Sequence, residues 1–209
     1  MRHPSQQTAP DIALAEGPDG QVTLYIDGAQ AMQAWERELM ERSAELLCEH
    51  GTEFLEAGLG LGLSALTISG RPTTTRHVVV EPYEEVIDYF RSRHPTPPAA
   101  LEIVRADFFE YIETLPPESF DGIFFDPALP AEMWKDKPFW HGVVGHMLRV
   151  LRSGGALVPF FLTSPELWRR YARRFDRVLV ERHSYRAYPT TGYTNGVSGS
   201  AYVQCYVKD

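Results

Sequence analysis

The chain has 209 residues, 44% of them hydrophobic, and a formal charge of −8. That is one domain's length with ample apolar material for a packed core, which excludes a largely disordered chain. The acidic balance excludes a general nucleic-acid binder, which needs a basic field to displace counterions, and two cysteines (Cys48 and Cys205) outside any CxxC pair exclude a zinc or disulfide framework.

In chain order, residues 1–20 carry Pro4, Pro10, Gly17, Pro18 and Gly20 with few large apolar groups, which predicts an arm or lid over 1–28 ahead of a domain over 29–209. The apolar spacing predicts a helix over 29–50, a strand at 53–57 ending in glycines, a helix at 63–69 and a strand at 76–81. A helix near 82–93, a strand near 101–105, a short helix near 109–114 and the apolar strand 120–126 follow. A helix over 139–152, a strand at 155–162 and a helix at 164–174 complete the alternation. Strands near 176–184 and 200–207 have only a Gly/Ser/Thr-rich segment between them and are expected to pair antiparallel. Alternating β and α segments with apolar strands predict an α/β fold: a mostly parallel, Rossmann-like sheet covered on both faces.

The segment LEAGLGLGLSAL (55–66) reads as strand, glycine turn and helix start. Gly58, Gly60 and Gly62, running into Leu63, let backbone approach a ligand closely. The next strand ends in Glu81, followed by Pro82, where an acid can hold two ribose hydroxyls. The turn departs from GxGxxG, and Leu59 and Leu61 suit a cofactor without a pyrophosphate, such as S-adenosyl-L-methionine (SAM). After the third strand come Asp107, Phe108 and Phe109, an acid for an adenine amino group and aromatics for its ring; core packing of the two phenylalanines is the alternative.

Two further carboxylates stand out. If 29–47 is helical, Met32, Trp35, Leu39, Met40, Leu46 and Leu47 form one apolar stripe, and Glu36 falls near its middle. A carboxylate there costs several kcal/mol unless paired, so it holds either a ligand or an internal arginine. Asp126 ends a central strand, where ligands bind in such sheets; capping a following helix is the alternative. Two carboxylates beside a sulfonium cofactor point to a cationic nucleophile. A guanidinium matches carboxylates in a planar fork, and its high pKa requires a proton acceptor during alkylation.

These residues, read together, resemble the guanidinoacetate N-methyltransferase family over about residues 29–209. Met32, Trp35, Glu36 and Met40 follow its Met-x-x-Trp-Glu-x-x-x-Met motif, Glu56-Ala-Gly58-Leu-Gly60 its glycine motif, and Glu81 its ribose acid. ETLPPESFDGIFFD (113–126), LRVLRSGG (148–155) and FLTS (161–164) match later motifs in order. The resemblance implies the class I SAM-dependent methyltransferase fold, a seven-stranded sheet with an antiparallel last strand. It implies methyl transfer to the guanidino nitrogen of a small guanidino acid or amino acid, guanidinoacetate or an arginine-like compound. Glu36 and Asp126 would hold the guanidino group, Asp126 as proton acceptor. Leu162 and Thr163 would give backbone amides to a substrate carboxylate, and Met32 and Met40 would line the cofactor site. The chain also departs from the family pattern: the N-terminal arm shows no clear match and lacks tryptophan, and the segment 135–146 needs an extra residue to align. Pro127 stands where the family has Thr after the strand-end aspartate, and Phe108-Phe109 replace its aromatic-acid pair after the third strand, with an acid one residue earlier at Asp107.

The 189–200 loop is placed to contact a longer substrate, with Tyr193 or Asn195 to bind an amino-acid head group. The cluster Arg169, Arg170, Arg173 and Arg174 reads as a solvated helix face, and His141 and His146 as surface or semi-buried residues. The partner is then a small guanidino compound, with no metal, nucleic acid or membrane. No apolar run reaches the roughly 18 residues of a membrane span, and a cytoplasmic monomer or homodimer is expected. A small-molecule O- or N-methyltransferase, a protein arginine methyltransferase and a non-catalytic SAM-binding subunit are the alternatives.

Overall fold

The computed structural model describes residues 11–17, 21–130 and 132–209. Its first element is a small antiparallel sheet of β1 (Ile12–Glu16), β2 (Val22–Ile26) and β3 (Ala29–Gln33). Of the arm expected over 1–28, residues 1–10 and 18–20 lie outside the described residues; most of the remainder forms β1 and β2. The helix expected over 29–50 is corrected here. Residues 29–33 are strand, Ala34–Glu36 make a single 3-10 turn, and α1 spans Arg37–Cys48. The cause is the Asp27-Gly28 turn, whose φ values of 51° and 74° are both positive. A two-residue turn of this kind folds the chain back as a hairpin, and pairing with β2 overrides the helix propensity of AQAMQ.

The main sheet contains β4 (Glu53–Ala57), β5 (Arg76–Val80), β6 (Leu101–Val104), β7 (Phe120–Phe125), β8 (Leu151–Pro159), β9 (Arg177–Arg186) and β10 (Ser198–Val207). Their spatial order is β6-β5-β4-β7-β8-β10-β9. β10, last in sequence, runs antiparallel to both β8 and β9, while the β4, β5, β6, β7 and β8 pairings are parallel. The connecting helices are α2 (Leu63–Ser69), α3 (Glu84–Arg93), α4 (Phe108–Thr114), α5 (Lys137–Val150) and α6 (Arg169–Ala172). β8 begins four residues before the expected strand, because Leu151 already pairs with Phe120. The helix expected over 164–174 contracts to the one turn of α6.

Period-two alternation assigns each strand residue to a face. Phe54, Val79 and Phe124 join α1, α2 and α3 in one core; Leu55, Val78, Val80, Ile123 and Phe125 join α4, α5 and α6 in the other. The crossovers from β4 run outward through β5 to β6, then reverse through β7 to β8. The carboxyl ends of β4 and β7 therefore flank the switch point, where such sheets bind ligands. Asp126 lies there, its amide donating to the Ala57 carbonyl (3.2 Å).

Candidate active site

Two adjoining cavities open at these strand ends, of about 300 Å³ and 640 Å³. Asp126 lines both, and Pro127, Leu129, Ile26, Ala31 and Tyr83 are also shared. The β1–β3 sheet thus walls the site that the main sheet founds.

The smaller cavity is built on the glycine turn. Gly58 (φ +87°) lies where a Cβ would come within 2.9 Å of the Asp126 carbonyl oxygen, and Gly60 (φ +51°) where one would come within 2.7 Å of Met32 Sδ. Both close approaches and both left-handed conformations call for glycine. The Leu61 amide donates to Met32 Sδ (3.3 Å), which fixes the turn against β3. Glu81 is buried; its Oε2 accepts from the Leu59 amide (2.8 Å) and its Oε1 from the Tyr83 amide (3.0 Å). Burial nevertheless raises its pKa above the usual carboxylate range.

Met32, Gly58, Gly60, Glu81, Pro82, Asp107, Phe108 and Phe109, all anticipated from sequence, line this cavity. Asp107 also caps α4, its Oδ1 accepting from the Phe109 and Glu110 amides (2.7 and 3.1 Å). Three anticipated residues line neither cavity. Gly62 is the left-handed cap of α2 against Phe90, Leu63 is buried in α2, and Met40 is buried beneath α1. Met40 was expected at the cofactor site by the family resemblance, but it lies in α1, beyond the break that follows Gln33, with its side chain in the core.

The larger cavity contains Glu36, Asp126, Leu162 and Thr163. Glu36 is only 5% exposed, although it sits on the 3-10 turn and not on a helical stripe. Its Oε1 accepts from the Gln33 amide (2.7 Å) and from the Tyr193 hydroxyl. Hydrogen bonds to a charged group contribute about 1.5–3 kcal/mol each, against several kcal/mol for desolvating the carboxylate. Desolvation prevails, raising the Glu36 pKa to about 7. At Asp126 burial again leads, followed by the charges of Glu36 and Glu56, and its pKa is raised well above the ordinary value. Among the described residues neither Glu36 nor Asp126 forms an ion pair, and neither the internal arginine nor the helix-capping alternative is realised. The result is a carboxylate pair to which no described residue brings a cation.

Sequence reasoning missed Gln33. Fully buried, it donates through Nε2 to Thr23 Oγ1 (3.0 Å) and accepts at Oε1 from Trp35 Nε1 (3.0 Å) and Thr191 Oγ1 (2.5 Å). Its spacing of three from Glu36 is a helix-start signal, hidden by the helix assumed to begin earlier. Trp35 packs against Phe161, Tyr185 and Tyr193, which steadies the turn that carries Glu36. Trp134 and Phe160 were also missed as cavity walls. Tyr193 lines the cavity but donates its hydroxyl to Glu36, the carboxylate expected at the guanidino end, and Asn195 does not line it. Leu162 departs from its expected role: its amide donates to the Tyr202 carbonyl (3.1 Å), and its carbonyl accepts from the Tyr202 amide (2.7 Å).

Away from the cavities, Arg170 is not solvated as the arginine cluster suggested. Its guanidinium lies over the rings of Trp134, Trp140 and Trp168 and donates to the Trp134 carbonyl (3.2 Å). His141 and His146 line neither cavity. Among the described residues no helix is long and apolar enough to cross a membrane, and no group of three His, Cys, Asp or Glu residues could hold a metal ion.

The sheet order with its single antiparallel strand, the glycine turn and the acid ending β5 define the class I SAM-dependent methyltransferase fold. The Guanidinoacetate N-methyltransferase family model matches residues 6–182, and the chain belongs to that family. The fold is similar to spermidine synthase from Thermotoga maritima, at 18% identity and a TM-score of 0.71 over 98% of this chain and 72% of that one. A spermidine synthase in complex with the transition state analogue AdoDATO gives 17% identity and a TM-score of 0.72 over 98% and 72%. Precorrin-6y C5,15-methyltransferase from Geobacter metallireducens GS-15 gives 15% and 0.57 over 83% and 87%.

Proposed function

We propose that the enzyme methylates a guanidino nitrogen of a small guanidino compound, the class that includes guanidinoacetate and arginine. The observation that carries this reading is the desolvated carboxylate pair, Glu36 and Asp126, facing a cavity to which no described residue contributes a cation. A guanidinium presents planar N–H donors that match two carboxylates, and its arrival would favour their charged forms.

The cradle formed by Gly58, Gly60 and Met32, with Glu81 and Asp107 on the wall, fits SAM. Glu81 is placed for ribose hydroxyls, and Phe108 and Phe109 supply aromatic surface for the adenine. Bound SAM supplies an electrophilic methyl group on a sulfonium. Asp126, common to both cavities, holds the guanidino group where the two meet, and Glu36 fixes its orientation from the other side. Alignment of the nitrogen contributes through proximity. With SAM supplying the methyl group, Asp126 would accept the proton shed by the methylated nitrogen.

The test is methyl transfer across guanidino compounds and matched non-guanidino amines and acids, with wild type, Glu36→Gln and Asp126→Asn. Turnover confined to guanidines, falling at least about 100-fold in each variant while SAM still binds, is expected. Turnover of amines or acids in preference to guanidines, or full activity in both variants, would overturn the reading.

A further inference from the structure

Within the guanidino class, the larger cavity carries information about the rest of the substrate. Asp27, Glu36 and Asp126 line it, and no Lys, Arg or His among the described residues does. Two of the three carboxylates suffice for one guanidinium. The third, Asp27, is an exposed residue of the β2–β3 turn that also lines the cavity. Its Oδ1 accepts from the Asp11 amide (2.9 Å), which holds the side chain in place without neutralising it.

Three candidate partners for an anion are committed elsewhere. The Leu162 amide, which would meet a substrate carboxylate by family resemblance, is committed to Tyr202. Gln30 is committed through Nε2 to the Thr190 carbonyl and through Oε1 to the Gly192 amide, each at 2.7 Å. Arg170 lies against Trp134 but is held over three indole rings and does not line the cavity. Much of the remaining lining is apolar: Ile26, Leu129, Trp134, Phe160 and Phe161. At 640 Å³ the space extends well beyond what a guanidinium fills.

From these placements we infer that the preferred substrate is an alkylguanidine bearing a second cationic group, an amine-tailed guanidine, and not a guanidino acid. The inference rests on the guanidino reading above. The guanidinium sits between Glu36 and Asp126, an aliphatic spacer crosses the apolar walls, and the terminal ammonium faces Asp27. A carboxylate tail would instead meet like charge at Asp27, with the Leu162 amide already committed to Tyr202. Like-charge juxtaposition of this kind is a strong discriminator between ligands of one shape.

The experiment compares kcat/KM for 4-guanidinobutylamine and 4-guanidinobutanoate, two substrates of matched length and opposite tail charge, at saturating SAM. A preference of at least about tenfold for the amine is expected. Asp27→Asn, which keeps an acceptor for the Asp11 amide and tolerates positive φ, should narrow that ratio several-fold. Equal or better turnover of the acid overturns the inference and leaves the guanidino reading standing. An unchanged ratio in Asp27→Asn overturns the placement of the tail at Asp27. Absence of turnover with every guanidine, while non-guanidino amines or acids are methylated, overturns both.

Discussion

The hydroxyl of Tyr193 donates to the carboxylate of Glu36, joining the β9–β10 loop to the 3-10 turn before α1 across 157 positions of sequence. This bond favours the charged form of Glu36 and opposes the burial that raises its pKa to about 7. The loop therefore does more than cover the cavity; it sets how readily Glu36 ionises to receive a cation.

Tyr193→Phe should accordingly raise the Glu36 pKa further. The acid limb of kcat/KM should move upward by about one pH unit, with KM for a guanidino substrate rising several-fold at pH 7. A pH–rate profile of wild type and variant measures both.

Stability of the ligand-free enzyme should depend on pH through the same residue. The folded-state pKa of about 7 lies above the ordinary 4.5. The stability tied to neutral Glu36 is thus fully present below about pH 4.5 and is lost as pH rises through 7. The loss amounts to about 3 kcal/mol, and Asp126, also raised, acts in the same direction. Thermal unfolding between pH 5 and 8 should show Tm falling in wild type and falling less in Glu36→Gln, whose amide oxygen can still accept from Gln33 and Tyr193.

A buried neighbour tunes Asp126. Glu56 accepts from Ser64 Oγ and lies 2.9 Å from His77 Nε2, and its charge is among the causes that raise the Asp126 pKa. Glu56→Gln should shift the acid limb of activity to lower pH. A profile unmoved by the substitution would show that Glu56 does not act on Asp126.

Gly58→Ala tests the junction of the two cavities. The added Cβ would meet the Asp126 carbonyl at 2.9 Å in a backbone of φ +87°. Because the obstructing atom is backbone, the strand end must move, at a cost of about 1–3 kcal/mol. Lower Tm, weaker SAM binding by calorimetry and lower kcat are expected together, since Asp126 belongs to both cavities.

The α/β order, the strand ends bearing Gly58, Glu81 and Asp126, and the family motifs are legible in the amino-acid sequence, because apolar periodicity and glycine turns are local signals. The Asp27-Gly28 hairpin turn is equally local, but the strong helix propensity of the following residues conceals it. Glu36 is identified from sequence through a helical stripe that does not exist; it is buried because the turn after β3 directs it inward, whereas Met40, expected at the cofactor site by resemblance, belongs to the core. That Leu162 gives its amide to Tyr202, and that Gln33 and Tyr193 converge on Glu36, emerges from the folded chain alone. Those contacts join residues up to 160 positions apart, and no local pattern encodes which distant groups will exhaust one another's hydrogen bonds. The charge follows the same division: −8 is evident from composition, but the gathering of three carboxylates in a cavity lined by no described cation requires the fold.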